Sequence, residues 1–544
     1  MNPVMLIVLD GFGLAPSSNG NAISLANPET INGLFRMYPN TQLTASGQSV
    51  GLPPGEVGST EVGHLNMGAG RIIYQNLPRI NLSIADGSFY KNEAFTGAVS
   101  HLQKTNGDMH LIGLVGSGTV HASMDHLYAL LFFCGENKVG RVFLHLITDG
   151  RDSPPRSARN YLEELEKKIS DMHMVKIATI MGRYYAMDRD RRWERVKVAY
   201  ECLVSGIGNK ATNYGEAIDQ SYAENKSDEF IKPTNIVDQS GVPIGLIKEG
   251  DAVIFYNFRI DRPRELTKAF VLHDFAREAN KTSYDPYATK YFKKHIKDEE
   301  VLSNPFERGE KIENLYFATM TEYERDLPVH IAFPPHVVAM PLGRIISEKQ
   351  IPQLRVAESE KERFVTFYFN GLRETAFALE ERLIIPSPKV PTYNLKPEMS
   401  AYEITDVLIK KMYEFKYKFI LVNFANADMI GHTGDITAGV QAVRALDQCL
   451  SKLVAIAEKT NYTLLITADH GNIEEMIDLK TGLPSTEHTG NPVPFIVVNS
   501  KLLGKTLKLQ SGILADVAPT VLYLLDLPAP REMTGRNLLE DIHV

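Results

Sequence analysis

Apolar residues in this chain gather into short runs that end in polar residues or glycine. They are "VMLIVLDG", "MHLIGLVGSG", "RVFLHLITDGRD", "MVKIATIMGR", "DAVIFYNFR", "YKFILVNFAN", "NYTLLITADHG" and "PFIVVN". Each has the length and β-rich composition of a buried strand. Between them "SARNYLEELEKKI", "ERVKVAYECLV" and "AGVQAVRALDQCLSKLVAIAEK" read as amphipathic helices. Such strands alternating with such helices predict an α/β protein with largely parallel sheets. In those sheets functional groups collect beyond the carboxyl ends of the strands, so the polar residues closing each run are the candidates.

A chain of 544 residues exceeds a single core and predicts two or more domains. Two places read as boundaries: "YQNLPRINLSIADGSF", which opens a new helical region, and the charged, proline-broken stretch at about 281–314, a long surface connection or insertion. A net charge of -8 argues against a general nucleic-acid binder while leaving room for a local basic pocket. Cys134, Cys202 and Cys449 are too widely spaced for a metal or redox motif and read as reduced thiols of a cytoplasmic protein. "MNPVMLIVLDGFG" lacks a basic leader and reads as a buried strand, and no apolar run approaches the roughly 20 residues of a membrane span.

Collecting strand ends gives Asp10, then Asp428 and His432 in "NFANADMIGHTG", Asp469 and His470 in "LLITADHGN", and His488 in "STEHTGNPVPF". Carboxylates and histidines together suit divalent ions that accept mixed nitrogen and oxygen ligands, such as Mn or Zn. Asp428 and His432, four apart, share a face if that segment is helical. Alone, each would be an ordinary turn former or structural hydrogen bonder; their recurrence at strand ends points to a metal centre. "GEVGSTEVGHLNMGAGR" sets five glycines around Ser59 and Thr60. A hydroxyl bound to a dication loses its proton readily, so either residue is a candidate nucleophile.

A second set is basic. Arg151 and Asp152 close "TDGRDSPP", Arg183 and Arg189 lie in "MGRYYAMDRDRRWER", Arg259 and Arg262 in "YNFRIDRPRE", His121 in "GLVGSGTVHASMDHL" and Lys361 in "AESEKERFVTFYF". Guanidinium forks match phosphate and carboxylate, so this set predicts a small polyanionic substrate. Arg192 and Arg195 read instead as a solvated helix start.

With these motifs in hand the chain closely resembles, almost end to end, the cofactor-independent (2,3-bisphosphoglycerate-independent) phosphoglycerate mutases of the alkaline phosphatase superfamily. The likeness runs through "LDGFG", "GLPPGEVGSTEVGHLNMGAGR", "HLITDGRDSPPRSA", "MGRYYAMDRDRRWERVKVAY", "IPSPKVPTYNLKPEMSAYEITD", "NFANADMIGHTG" and "HTGNPVPF". It implies an α/β fold: a discontinuous alkaline-phosphatase-like domain, 1–75 and 311–544, with an inserted α/β substrate domain, 76–310. It implies interconversion of 3-phosphoglycerate and 2-phosphoglycerate in glycolysis and gluconeogenesis, without bisphosphoglycerate, by a cytoplasmic monomer with no nucleic-acid or membrane partner. Two divalent ions, Mn2+ above Mg2+, Co2+ or Zn2+, are implied. Asp428, His432 and His488 would hold one; Asp10, Asp469, His470 and the nucleophile would hold the other. Asp152 would be the general acid/base, and His121, Arg151, Asp152, Arg183, Arg189, Arg259, Arg262 and Lys361 would bind substrate.

Three departures stand out. The family's Asn-Ser-Glu-Val-Gly-His is "STEVGH" here, which puts Thr60 in the nucleophile's place and Ser59 in that of the asparagine. The family's His-Ser-His is "HAS", keeping only His121, and its Phe-Arg-Pro-Asp-Arg is "FRIDR", keeping both arginines. A metal-dependent phosphatase or phosphopentomutase would share the metal ligands but need other specificity residues. A non-catalytic homologue would keep the ligands without turnover. The complete arginine set favours the mutase.

Overall fold

The computed structural model describes residues 2–281, 304–505, 507 and 509–540. It divides into two compact units, Met1–Gln75 with His336–Val544, and Asn76–Pro335. Of the stretch at 281–314, residues 282–303 lie outside the described residues.

The first unit begins with β1 (Val4–Leu9) and β2 (Asn40–Thr44). The second carries β3 (Met109–Val115), β4 (Val142–Thr148), β5 (Val175–Gly182), β6 (Asn209–Ala211), β7 (Thr234–Ile236), β8 (Ala252–Phe255), β9 (Tyr316–Thr321) and β10 (His330–Phe333). The chain returns to the first unit with β11 (Gln353–Glu358), β12 (Glu380–Ile385), β13 (Phe419–Phe424), β14 (Thr463–Thr467), β15 (Val493–Val498) and β16 (Gly512–Ile513).

In the first unit the strand order is β12-β11-β13-β1-β14-β15-β2-β16. From β12 to β14 every pair is parallel, and β15 runs against both β14 and β2. All six residues of β1 are buried, as an uninterrupted apolar run at the centre of a sheet covered on both faces demands. The helix Ile436–Thr460 packs with a stripe of Ala438, Ala442, Leu446, Cys449, Leu453 and Ala457, spaced three or four apart. Asp435 caps its start by accepting from two backbone N–H groups, and Asn461 in the left-handed region ends it.

The second unit has strand order β10-β9-β8-β3-β4-β5-β7-β6, parallel from β10 to β5, with β7 antiparallel to β5. The return to the first unit, expected at 311, comes at His336. The physical reason is that β9 and β10 extend the second sheet through the pairing of Ile254 with Ala318, beyond the charged stretch taken as the boundary.

Candidate active site

In the first unit Asp10 directly follows β1, and the adjacent strands β13 and β14 deliver Asp428 and the Asp469–His470 pair to the same edge. Gly11 turns there at φ +73°, and a Cβ on it would lie 2.7 Å from the Asp428 Cα, so only glycine fits. Thr60 is the first residue of the helix Thr60–Ala69. Ser59 is its cap, and the Ser59 hydroxyl accepts from the Val62 N–H at 3.4 Å. A Cβ on Gly63 would lie 2.6 Å from the Asp469 carbonyl oxygen; without one, the helix lies directly against the strand end that carries the ligands.

The buried Thr60 hydroxyl lies 3.2 Å from Asp10 Oδ1, 3.0 Å from His470 Nε2 and 3.1 Å from Lys361 Nζ. Lys361 also donates to Asp10 Oδ1 at 3.0 Å and to Asp428 Oδ2 at 2.6 Å. The structure thus groups Lys361 with the acidic cluster rather than with the arginines among which sequence reasoning set it. Burial opposes the charge on Lys361, but Asp10, Asp428 and Asp469 outweigh it and hold the ammonium above the ordinary lysine range. Burial likewise opposes ionisation of Asp428 and Asp469. Lys361 for the first and His470 for the second outweigh it and hold both carboxyls well below theirs.

Two overlapping groups, Asp428 with His470 and His488, and Asp10 with Asp469 and His470, bring their ligand atoms within 4.8 Å of one another and can each hold a metal ion. His432 joins the first, its Nε2 3.2 Å from Asp428 Oδ1. The donor chemistry fits. Nδ1 of His432 faces the Thr486 carbonyl at 2.7 Å, and Nδ1 of His488 faces that of Gly58 at 2.9 Å. Each Nδ1 therefore carries the proton, and each Nε2 presents a lone pair. The two Nε2 atoms lie 3.1 Å apart, beside Asp428 Oδ1. Converging lone pairs repel unless a proton or a cation lies among them, and one divalent ion satisfies all three at once. In the second group Asp469 Oδ2 is buried, with His64 Nδ1 at 3.3 Å.

Sequence reasoning missed three members of this cluster. His64, one helical turn after Thr60, lies 3.3 Å from Asp469 and 3.0 Å from the Thr60 carbonyl. Asn423 donates to Asp10 Oδ2 at 2.7 Å, and Asn472 to Asp428 Oδ1 at 3.0 Å. The i, i+4 spacing of Thr60 and His64 was the available signal.

The second unit gathers the basic set beyond the carboxyl ends of β3, β4, β5 and β8. Arg183, buried, donates to Asp149 and Asp152 at 2.5 Å each and to His121 Nε2 at 3.0 Å. Arg189 and Arg259 both reach Asp261, at 2.9 and 3.1 Å, Arg262 donates to the Met187 carbonyl at 3.1 Å, and Arg151 pairs with Glu229 at 2.5 Å. Arg151, Arg189 and Arg259 remain about half-exposed. Burial and the Arg183 guanidinium push His121 down to about 4, so its ring is neutral. Burial opposes ionisation of Asp152, but Arg183 outweighs it and lowers its pKa. Asp149, Asp261 and Glu229 escaped sequence reasoning. Arg192 and Arg195 are more than a solvated helix start: both ion-pair with the buried Asp188, at 3.6 and 3.4 Å.

The chain resembles known proteins over its whole length. Residues 80–325 match the family model described as BPG-independent PGAM N-terminus, and 344–499 match that of type I phosphodiesterase / nucleotide pyrophosphatase. A 2,3-bisphosphoglycerate-independent phosphoglycerate mutase of Clostridium beijerinckii is 47% identical over 538 residues, covering 99% of both chains. One from Chloroflexus aggregans is 48% identical, covering 99% of this chain and 98% of its own. A crystal structure of Leishmania mexicana phosphoglycerate mutase at low cobalt concentration superposes with a TM-score of 0.56 at 28% identity, covering 98% of this chain and 97% of that one. Among the described residues no helix is long and apolar enough to cross a membrane. With full-length identity near one half, the chain belongs to the 2,3-bisphosphoglycerate-independent phosphoglycerate mutases.

Proposed function

We propose that the protein interconverts 3-phosphoglycerate and 2-phosphoglycerate, without bisphosphoglycerate, through a phosphothreonine at Thr60. The observation that carries this reading is the setting of the Thr60 hydroxyl. It is buried, within 3.2 Å of Asp10, His470 and Lys361, and among two groups that can each hold a divalent ion.

Asp428, His432 and His488 would hold one ion, and Asp10, Asp469, His470 and Thr60 the other, with Mn2+ preferred for its tolerance of mixed ligands. Such ions, when bound, acidify a coordinated hydroxyl and neutralise charge on a phosphoryl group. Thr60 Oγ1, its proton passed to water, then attacks phosphorus, and the phosphorus–oxygen bond to the glycerate breaks. Lys361 adds a fixed positive charge beside the attacking oxygen. His121, Arg151, Arg183, Arg189, Arg259 and Arg262 hold the carboxylate and phosphate of the substrate. Asp152, ionised beside Arg183, relays a proton between the two glycerate oxygens: it takes one from the hydroxyl that later attacks phosphothreonine and gives it to the oxygen leaving phosphorus, ending as the carboxylate it began. The methyl group that Thr60 adds to the family's serine stiffens χ1 without removing the nucleophile. The remaining expectations are a small-molecule substrate in glycolysis and gluconeogenesis, a cytoplasmic location, a monomer, and no nucleic-acid or membrane partner.

An enolase-coupled assay on 3-phosphoglycerate, with Mn2+ and no bisphosphoglycerate, tests the reading. Turnover without release of inorganic phosphate is expected. Net phosphate release would indicate a phosphatase, and no turnover with metal bound would indicate a non-catalytic homologue.

A further inference from the structure

The loop at 187–192 carries Arg189, and the segment after β8 holds that loop at three points. Arg262 donates to the Met187 carbonyl at 3.1 Å, and Asp261 accepts from the Arg189 side chain at 2.9 Å. The third hold is Glu265, on the helix Arg264–Val271. Its Oε1 accepts the Arg191 backbone N–H at 2.8 Å. Arg191 sits at φ +58°, a conformation that costs a non-glycine residue energy and persists only when its surroundings hold it. Asp188, buried like Glu265, ties the same turn by accepting the N–H groups of Asp190 and Arg192 at 3.0 and 2.9 Å.

We infer that Glu265 is a positioning residue, which clamps the 187–192 loop and so sets Arg189 for the phosphoglycerate. This rests on the substrate role proposed for Arg189. The groups facing Glu265 are Asp188 and Asp190, with Arg192 and Arg195 already paired to Asp188. On its own helix Arg264 and Lys268 turn to Glu324 at 3.5 and 2.9 Å. Burial, reinforced by Asp188, pushes the Glu265 carboxyl up to about 8, and its Oε2 is buried without a hydrogen-bond partner. At neutral pH the protonated acid sits beside Asp188 without repulsion. Above about 8 it ionises, the two carboxylates repel, and the clamp loosens.

The test is steady-state kinetics of the Mn2+-loaded enzyme on 3-phosphoglycerate across pH 6.5 to 9.5. Arg189→Ala should raise KM; an unchanged KM refutes the substrate role of Arg189 itself. Glu265→Ala should raise KM about fivefold, the scale of one net hydrogen bond, with kcat within about twofold. Arg189→Ala/Glu265→Ala should show the KM of Arg189→Ala alone, because Glu265 acts through Arg189. Glu265→Gln, which mimics the protonated acid, should keep the neutral KM and lose the alkaline rise of the parent enzyme. Additive effects in the double variant, or an alkaline rise that survives in Glu265→Gln, overturn the inference.

Discussion

Ser59 and Thr60 are adjacent hydroxyls in different settings, and exchanging each for alanine separates their roles. Ser59 Oγ accepts the Val62 N–H as a helix cap, and at 3.4 Å that bond is long. Its loss belongs at the low end of cap deletions, about 0.5–1 kcal/mol of stability. Thr60 Oγ1 makes three contacts, to Asp10, His470 and Lys361, and all three involve a charged group: burial opposes the charge on His470, but Asp469 and Asp10 outweigh it and hold the ring protonated. Bonds to charged groups contribute about 1.5–3 kcal/mol each, but Lys361 keeps Asp10 and Asp428, and Asp10 keeps Asn423. The net stability cost of Thr60→Ala is therefore about 1–3 kcal/mol, while turnover falls to background because no attacking oxygen remains. Thr60→Ser keeps the oxygen and stays active. Urea unfolding gives the stability terms, the enolase-coupled assay gives turnover, and peptide mass spectrometry after a substrate quench locates the phosphate. Phosphate on Ser59, a loss beyond tenfold in Ser59→Ala, or sustained turnover in Thr60→Ala would refute the assignment.

Arg259→Ala and Arg262→Ala should each cut kcat/KM by about a hundredfold or more through lost substrate positioning, with the urea midpoint nearly unmoved; a large midpoint shift with modest kinetic change would mark them as structural. Exhaustive chelation should abolish turnover, and added Mn2+ should restore it; His488→Ala should lose one ion by metal analysis, and full metal content in that variant would exclude it as a ligand. His126 is buried with its Nε2 on Asn81, and burial pushes it down to about 4. Below pH 6.5 the unfolded chain gains a proton that the folded chain refuses, so stability falls with acidification and about 3 kcal/mol is lost by pH 4. Urea titrations should show that slope shrinking in His126→Asn, and an unchanged slope would assign the acid limb elsewhere.

The central strands were legible because burial on both faces leaves a continuous apolar run, as in β1 and β13. Strands at or next to the sheet edges have no such signature. β12 reads "EERLII" and β2 reads "NTQLT", both half-exposed, and β6 is three residues long. The misplaced boundary at 311 has the same origin: register between β8 and β9 is a long-range fact that a charged connection conceals. The ligand residues could be collected because strand ends announce them. Their neighbours could not, since Asn423 lies inside an apolar strand and Lys361 meets Asp10 from 351 residues away. Asp261, between two arginines in "RIDR", was the nearest miss.

The space left at Gly63 has a consequence for moving this chemistry elsewhere. Because a side chain at Gly63 would collide with the Asp469 carbonyl oxygen and Cβ, each 2.6 Å from the added Cβ, the nucleophile's helix can lie directly against the ligand-bearing strand end only with glycine there. The position of Thr60 relative to Asp469 and His470 thereby depends on a close approach that any side chain at Gly63 would prevent. A designer who transplants only the histidines, aspartates and hydroxyl onto a foreign scaffold would carry the parts without that approach. The transferable unit is the helix laid against the strand end, and a glycine with no chemistry of its own is its least replaceable component.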